Sequence, residues 1–487
     1  MKVLSNLYLW VNDRFTAEPQ SLLVEKGIII EQLPYPVPEQ YKQLYQQDFA
    51  GAYAYPGFID THTHSFEGGL YSLGVDLSIA KNIAEVLELL SAESAKKTKD
   101  EIIFAWQLDE TSLAEKRFPT VPELDSAVPG KPLLLRRIDG HSCMLNSFAR
   151  KQIKDLDTDR EILRGAENDR AVHYFHSCLT DDRILEAYQV SAKLGLQAGF
   201  CSLHTMIGNA QNSITHYELI RDNLDQFPLR FILYPQSFNI EAALNAGAQR
   251  IGGCILADGS IGSETAAVSE PYLNSTSRGV LYQSDEFWQQ FINEASKHNL
   301  QVAVHCIGDR AIRQINNVYK AIPATEELRH ELIHCELTDD ALIQEIAISK
   351  AVPVMQPNFD LLWGGENGFY AQKLGIKRSR IMNRFATLLK AGITITGGSD
   401  WYVTPLNAAQ SINAAIHHHN PQEGLTIAQA IDIYTKNAAW LNFEEHCAGQ
   451  IKPSYVADLS IYSQPVEKET SQLCYVVRKG EIKYAAQ

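Results

Sequence analysis

Eight short apolar runs, separated by helical stretches, constrain most strongly what this chain can fold into. They lie near residues 57–62, 200–205, 229–234, 252–257, 301–305, 331–335, 352–356 and 392–398. Strand-length apolar runs alternating with helices are the pattern of βα units around a parallel sheet. Eight units predict an α/β fold, a (β/α)8 TIM-like barrel over residues 55–439. The last helix has its own start signal: Thr426 stands three residues before Gln429, a capping-box spacing, just ahead of an apolar run. The gap between the first two runs is too long for one crossover. Residues 66–195 are therefore read as an insertion between strands 1 and 2, with its own helices and strands, such as 83–94 and 133–138.

The two ends have a different character. Residues 7–11, 21–33, 455–462 and 473–478 are strand-like, with Glu25-Lys26-Gly27 and Lys479-Gly480 as turns. Neither end is long enough to build a sheet core alone. Residues 1–54 and 440–487 are therefore expected to pair into one small β-sandwich domain.

Bulk properties exclude several functions. The chain has 487 residues and a formal net charge of −15, which opposes nucleic acid or an anionic membrane surface as a partner. No run of about 18 apolar residues occurs, so no transmembrane helix is expected. The start reads as a strand rather than a signal peptide, because Asn12, Asp13 and Arg14 interrupt a short apolar run. Eight cysteines are scattered and never in Cys-Xaa-Xaa-Cys spacing. That usage fits a reducing cytosol, hence a cytoplasmic protein with no disulfide framework.

The polar residues that end these runs carry the chemistry. In a barrel, functional residues sit at the C-terminal strand ends. His62 and His64 end the first run, and side chains at i and i+2 of a strand share one face. His305 ends Val-Ala-Val-His, His334 ends Glu-Leu-Ile-His, and Asp400 follows Thr-Gly-Gly-Ser. These are nitrogen and oxygen donors of the kind zinc takes. Singly, His305 or His334 reads as a packed histidine and Asp400 as a turn residue. Independent core histidines have no reason to gather at the same ends of three strands.

With these residues in place, the chain resembles the amidohydrolase superfamily, in its amidohydrolase-3 branch of metal-dependent hydrolases. The matching stretches are residues 56–64, 137–146, 257–267, 302–309, 329–334, 355–357 and 398–400, with Thr435, 437–439 and 449–458 in the tail. The resemblance implies a barrel, a sandwich built from both termini, and one or two divalent ions. It makes His62 and His64 ligands of the more buried metal and His305 and His334 ligands of the second. Asp400 matches the aspartate that contacts metal and shuttles the proton.

One position departs from the family. At the end of strand 4 the family usually has a lysine that can be carbamylated to bridge two metals; here the residue is Cys254. Cysteine cannot form that carbamate, but a thiolate ligates zinc at about 2.3 Å. Cys254 is either a ligand, bridging included, or a buried small residue beside a mononuclear site.

Further residues are candidates at the same mouth. His204 ends strand 2, for substrate contact or support of the ligands. Asp139 and His141 lie in a stretch that the resemblance marks as substrate-side, where His141 or His204 would stabilise an oxyanion. Asp258 and Gln356 either hold loops or meet substrate, and Asp60 supports the histidines or closes the barrel bottom. His417, His418 and His419 read as cations near a helix C-terminus. Tyr71, Trp106, Trp363 and Tyr370 form either an aromatic substrate wall or ordinary core.

The expected activity is hydrolysis of a non-peptide amide-like C–N bond in a small-molecule substrate by metal-activated hydroxide, with Asp400 as general acid and base. The alternatives are an ester, lactone or cyclic amide at the same site, or a non-catalytic binding scaffold. Base rate favours a homodimer, though no residue shows it.

Overall fold

A computed structural model describes every residue except 100, 139, 141, 155, 157–159, 209–212 and 487. The chain divides into two compact units, one of Met1–His64 with Ala192–Gln487 and one of Ser65–Ser191.

In the first unit all eight apolar runs are strands: β1 (Phe58–Thr63), β2 (Phe200–Ile207), β3 (Arg230–Pro235), β4 (Arg250–Leu256), β5 (Gln301–Cys306), β6 (Glu331–His334), β7 (Val352–Met355) and β8 (Thr396–Gly397). Their pairings are parallel. Strands covered on both faces need apolar residues at nearly every position, which is why the runs are continuous rather than alternating. Met206, Ile232, Tyr234, Ala303, Ile333, Val352 and Val354 pack into one cluster from five of these strands. Each such burial is worth about 1.5–3 kcal/mol.

The expected ring is not drawn as one closed ladder. The hydrogen bonds run β3-β2-β1 in one sheet and β4-β5-β6-β7-β8 in another. β8 is only two residues long, which leaves little backbone for pairing on its second side. The first and last strands are tied by other bonds. Thr61 Oγ1 donates to Gly397 O at 2.9 Å, and Asp400 N donates to His62 O at 2.8 Å.

Both termini build one sheet. Tyr45–Pro56 lies parallel to Lys2–Val11 and antiparallel to Leu459–Tyr462, so it is the seam between the two chain ends. Gln20–Glu25 and Ile28–Pro34 extend one side; Leu473–Arg478 and Glu481–Ala485 extend the other. The two-layered arrangement expected from the sequence is met here as a single eight-stranded ladder. Its core joins Leu4, Leu9, Val24 and Ala54 from one end to Leu459, Ile461 and Val477 from the other. The seam strand then runs directly into β1.

The second unit has its own five-stranded sheet, in the order Ile162–Arg164, Ser142–Leu145, Leu133–Arg137, Ile103–Leu108, Val75–Asp76. Its core includes Val86, Leu90, Leu124, Leu133 and Leu135. Among the described residues no helix is long and apolar enough to cross a membrane.

Candidate metal centre

His62 and His64 leave β1 on one face, with ring centroids 5.4 Å apart. Asp400 Oδ1 lies 3.2 Å from His62 Nε2 and 3.3 Å from His64 Nε2. These are close approaches without alignment: both ring nitrogens of His62 and Oδ1 of Asp400 are buried with no hydrogen-bond partner among the described residues. The ligand atoms of His62, His334 and Asp400 lie within 4.8 Å of one another, and so do those of His62, His64 and Cys254. His305 completes the group, its ring 4.6 Å from that of His334 and its Nδ1 4.0 Å from Cys254 Sγ. The six residues that the sequence singles out as ligands are thus brought together from β1, β4, β5, β6 and the turn after β8.

Local backbone aims these side chains. Gly252 and Gly253 take φ of 99° and 91°, and the β4–β5 register shifts between Gly252 and Ile255. Such irregularities re-aim the next side chain, here Cys254. His334 and Asp400 are non-glycine residues with φ of 70° and 55°. Left-handed backbone of that kind costs about 1–3 kcal/mol each and concentrates at functional sites.

The end of β8 passes so close to β1 that only glycine fits at position 398. A Cβ there would lie 2.8 Å from both the backbone nitrogen and the Cβ of His62. Gly398→Ala is therefore expected to displace His62 and weaken metal affinity by about 10–100-fold, the range seen when a ligand's support is disturbed. Competition against a chromophoric chelator measures it; unchanged affinity would show that the close approach is dispensable.

The supporting groups are equally defined. Asp60 is fully buried, and its carboxylate accepts from the backbone N–H of His62 at 3.1 Å and of Ser399 at 3.0 Å. Burial pushes its carboxyl up to about 7 against the pull of those amides. Gln356 Oε1 lies 2.8 Å from His334 Nδ1, and its amide nitrogen donates to Val354 O. Its side chain orients His334. Asp258 accepts from the N–H groups of Ala267, Ile307 and Gly308 at 2.8, 3.0 and 2.8 Å. That carboxylate holds the loops after β4 and β5, the first of its two expected roles.

Electrostatics separates the histidines. Burial lowers His62, and Asp400 only partly opposes it. Burial also acts to lower His64, but Asp400 and Cys254 outweigh it and hold the imidazole well above its usual range. His334 is driven well down, by burial and then by His305. Asp400 would be raised by burial, yet the imidazoles of His62 and His64 close beside it keep it below the ordinary carboxylate range.

Three buried polar atoms without partners each cost about 1–3 kcal/mol unless something satisfies them. The nitrogen, oxygen and sulfur donors here form the set that a borderline divalent ion takes. The residues fit such an ion.

Asp139 and His141 lie outside the described residues. His204 is buried, with Nδ1 3.1 Å from the Tyr234 hydroxyl. Tyr71 and Trp106 stack with centroids 6.4 Å apart within the second unit. Trp363 ends the helix Pro357–Trp363 and Tyr370 lies in the helix Phe369–Leu374, both between β7 and β8, and Phe359 links them to the centre: its ring is 5.6 Å from His334 and 4.6 Å from Trp363. His417 ends the helix Ala408–Ile416 as expected. His418 differs: burial lowers its pKa, its Nδ1 accepts from Asn420 N at 2.9 Å and its Nε2 lies 3.0 Å from Asn383 O. Sequence reasoning passed over Tyr234 and Glu331. The signal was weak, because their strand runs already hold Arg230 and His334.

The amidohydrolase family profile matches residues 47–484. The protein YtcJ of Bacillus subtilis (strain 168) is 25% identical over 96% of this chain and 96% of its own length. The N-substituted formamide deformylase of Arthrobacter pascens is 22% identical over 88% of this chain and 86% of its own. Among solved structures, a metal-dependent hydrolase of Pyrococcus horikoshii OT3 superposes with a TM-score of 0.81 at 22% identity, covering 99% of both chains. At that identity the likeness is one of fold.

Proposed function

This chain belongs to the amidohydrolase family, and we propose that it is a metal-dependent hydrolase cleaving a non-peptide amide-like C–N bond in a small molecule. The observation that carries the reading is the convergence of buried, unpartnered donors from His62 and Asp400 with His64, Cys254 and His334. The bond type draws support from a relative named for deformylating N-substituted formamides. We read the eight strands as the frame of a (β/α)8 barrel and the terminal sheet as its companion domain.

His62 and His64 would hold one ion and His305 and His334 a second, with Asp400 and Cys254 as further donors. A divalent ion there, zinc by donor type, lowers the pKa of a water towards neutrality. Asp400 stays ionised despite burial because His62 and His64 face it. It accepts the water proton and returns it to the departing nitrogen. Gln356 orients His334, Asp258 and Asp60 fix the loops and strand ends that carry ligands, and Asp139 and His141 keep their substrate-side assignment on sequence grounds.

Elemental analysis of protein purified without chelator tests the reading, for wild type and Cys254→Ala. Two ions falling to one or none make Cys254 a ligand of a binuclear site. One ion in both leaves a mononuclear site with Cys254 as packing. No metal after supplementation with zinc or manganese overturns the hydrolase reading.

A further inference from the structure

Three buried polar side chains from β2, β3 and β6 form one chain of hydrogen bonds. Tyr234 of β3 donates its hydroxyl to Glu331 Oε1 of β6 at 2.8 Å, and His204 Nδ1 of β2 lies 3.1 Å from the same oxygen of Tyr234. All three residues are fully buried. His204 Nε2 and Glu331 Oε2 have no hydrogen-bond partner among the described residues. His204 borders the first ligand strand: Thr63 Oγ1 donates to His204 O at 2.8 Å, and His62 is among the charges that His204 feels. Burying a tyrosine, a histidine and a carboxyl costs several kcal/mol more than burying aliphatic side chains of that size. Packing alone does not call for them.

We propose that His204, Tyr234 and Glu331 are a proton relay, which takes a proton from the buried centre at His204 Nε2 and stores one on Glu331; this rests on the hydrolase reading above. With Glu331 ionised, Tyr234 donates to it, His204 Nδ1–H donates to Tyr234, and Nε2 is bare. A water in the centre would give its first proton to His204, one O–H bond breaking as an Nε2–H bond forms, and its second to Asp400. Nδ1–H passes to the Tyr234 oxygen, and the original Tyr234 proton passes to Glu331 Oε1. Hydroxide remains in the centre, Glu331 is neutral, and His204 is neutral in the other tautomer. The reverse sequence would return the stored proton to the released amine, Asp400 having protonated the departing nitrogen. His204 would be the catalytic residue; Tyr234 and Glu331 act through it.

The surroundings suit the two ends to different tasks. Burial, then Arg250, Arg230 and His62, drive His204 well below its usual range, so its ring conducts a proton rather than holding a charge. Glu331 faces Tyr234, Arg250 and Tyr319. Burial raises its carboxyl to about 8, with Tyr234 and Arg250 pulling the other way. A group of that strength exchanges protons near neutrality at little cost in either direction. The Arg250 guanidinium lies 5.1 Å from the Tyr234 ring centre and donates to Asn442 Oδ1 at 2.7 Å, which holds it in place.

Nitrogen-15 NMR of histidine-labelled, zinc-loaded protein tests the relay without a substrate. The His204 signals are assigned by their loss in His204→Gln. Acidification through about pH 8 should convert His204 from the Nδ1–H to the Nε2–H tautomer with no imidazolium formed. Tyr234→Phe should abolish that conversion, and Glu331→Gln gives the same comparison should Tyr234→Phe not fold. A wild-type tautomer that ignores pH, an imidazolium, or an unchanged conversion in the variant would overturn the proposal. Zinc bound without the conversion removes the relay alone; the conversion without zinc bound removes the hydrolase reading alone.

Discussion

Asp400→Asn is expected to lower kcat by about 10²–10⁴-fold, the usual worth of a general acid–base, while metal content stays at the wild-type value. Asparagine has the same shape and keeps an oxygen facing His62 and His64, so the ligand cluster survives. It loses the basic carboxylate that those two histidines hold ionised against burial. Amine release from a panel of N-acyl and N-formyl amines supplies the rate, and elemental analysis supplies the control. An unchanged rate with metal bound would remove Asp400 from proton transfer and leave the His204 relay as the remaining route.

His62→Ala is expected to abolish the stabilisation that metal gives the fold. Wild type in zinc at a thousandfold excess over its dissociation constant should gain about 4 kcal/mol against unfolding relative to chelated protein. His62 is the one residue shared by both groups of converging ligand atoms, so neither group is complete without it. Paired thermal unfolding scans, with zinc and with chelator, report the difference. A zinc effect equal to that of wild type in His62→Ala would place the ion elsewhere.

Much of the fold and of the ligand set is legible in the amino-acid sequence. The eight parallel strands follow from eight apolar runs, and the Thr426–Gln429 capping box forms at the start of the helix Ile427–Asp432. The hairpin turns at Lys26-Gly27 and Lys479-Gly480 also form, each pair with positive φ. Ligand candidates are readable because each ends or follows a strand run, and parallel strands carry their C-terminal ends in the same direction. The roles of Gln356 and Asp258 are not readable. Each sits where a substrate contact would, and only the folded chain shows which groups their polar atoms meet. Those partners belong to β6, β7 and the loops after β4 and β5, up to 50 positions away in sequence for Asp258.

What the sequence determined by itself was local in origin: the type of each element, its period, the residue that ends it, and the cysteine standing where the family usually has a lysine. These depend on a few neighbouring side chains. Convergence was decided by tertiary structure alone. His62, Cys254, His334 and Asp400 come together in one ligand cluster because strand order and register put them there. The Glu331–Tyr234–His204 chain joins three strands whose contributing residues are 30 and 97 positions apart. Hydrogen-bond direction and burial are properties of that shared interior, and no window of sequence contains it.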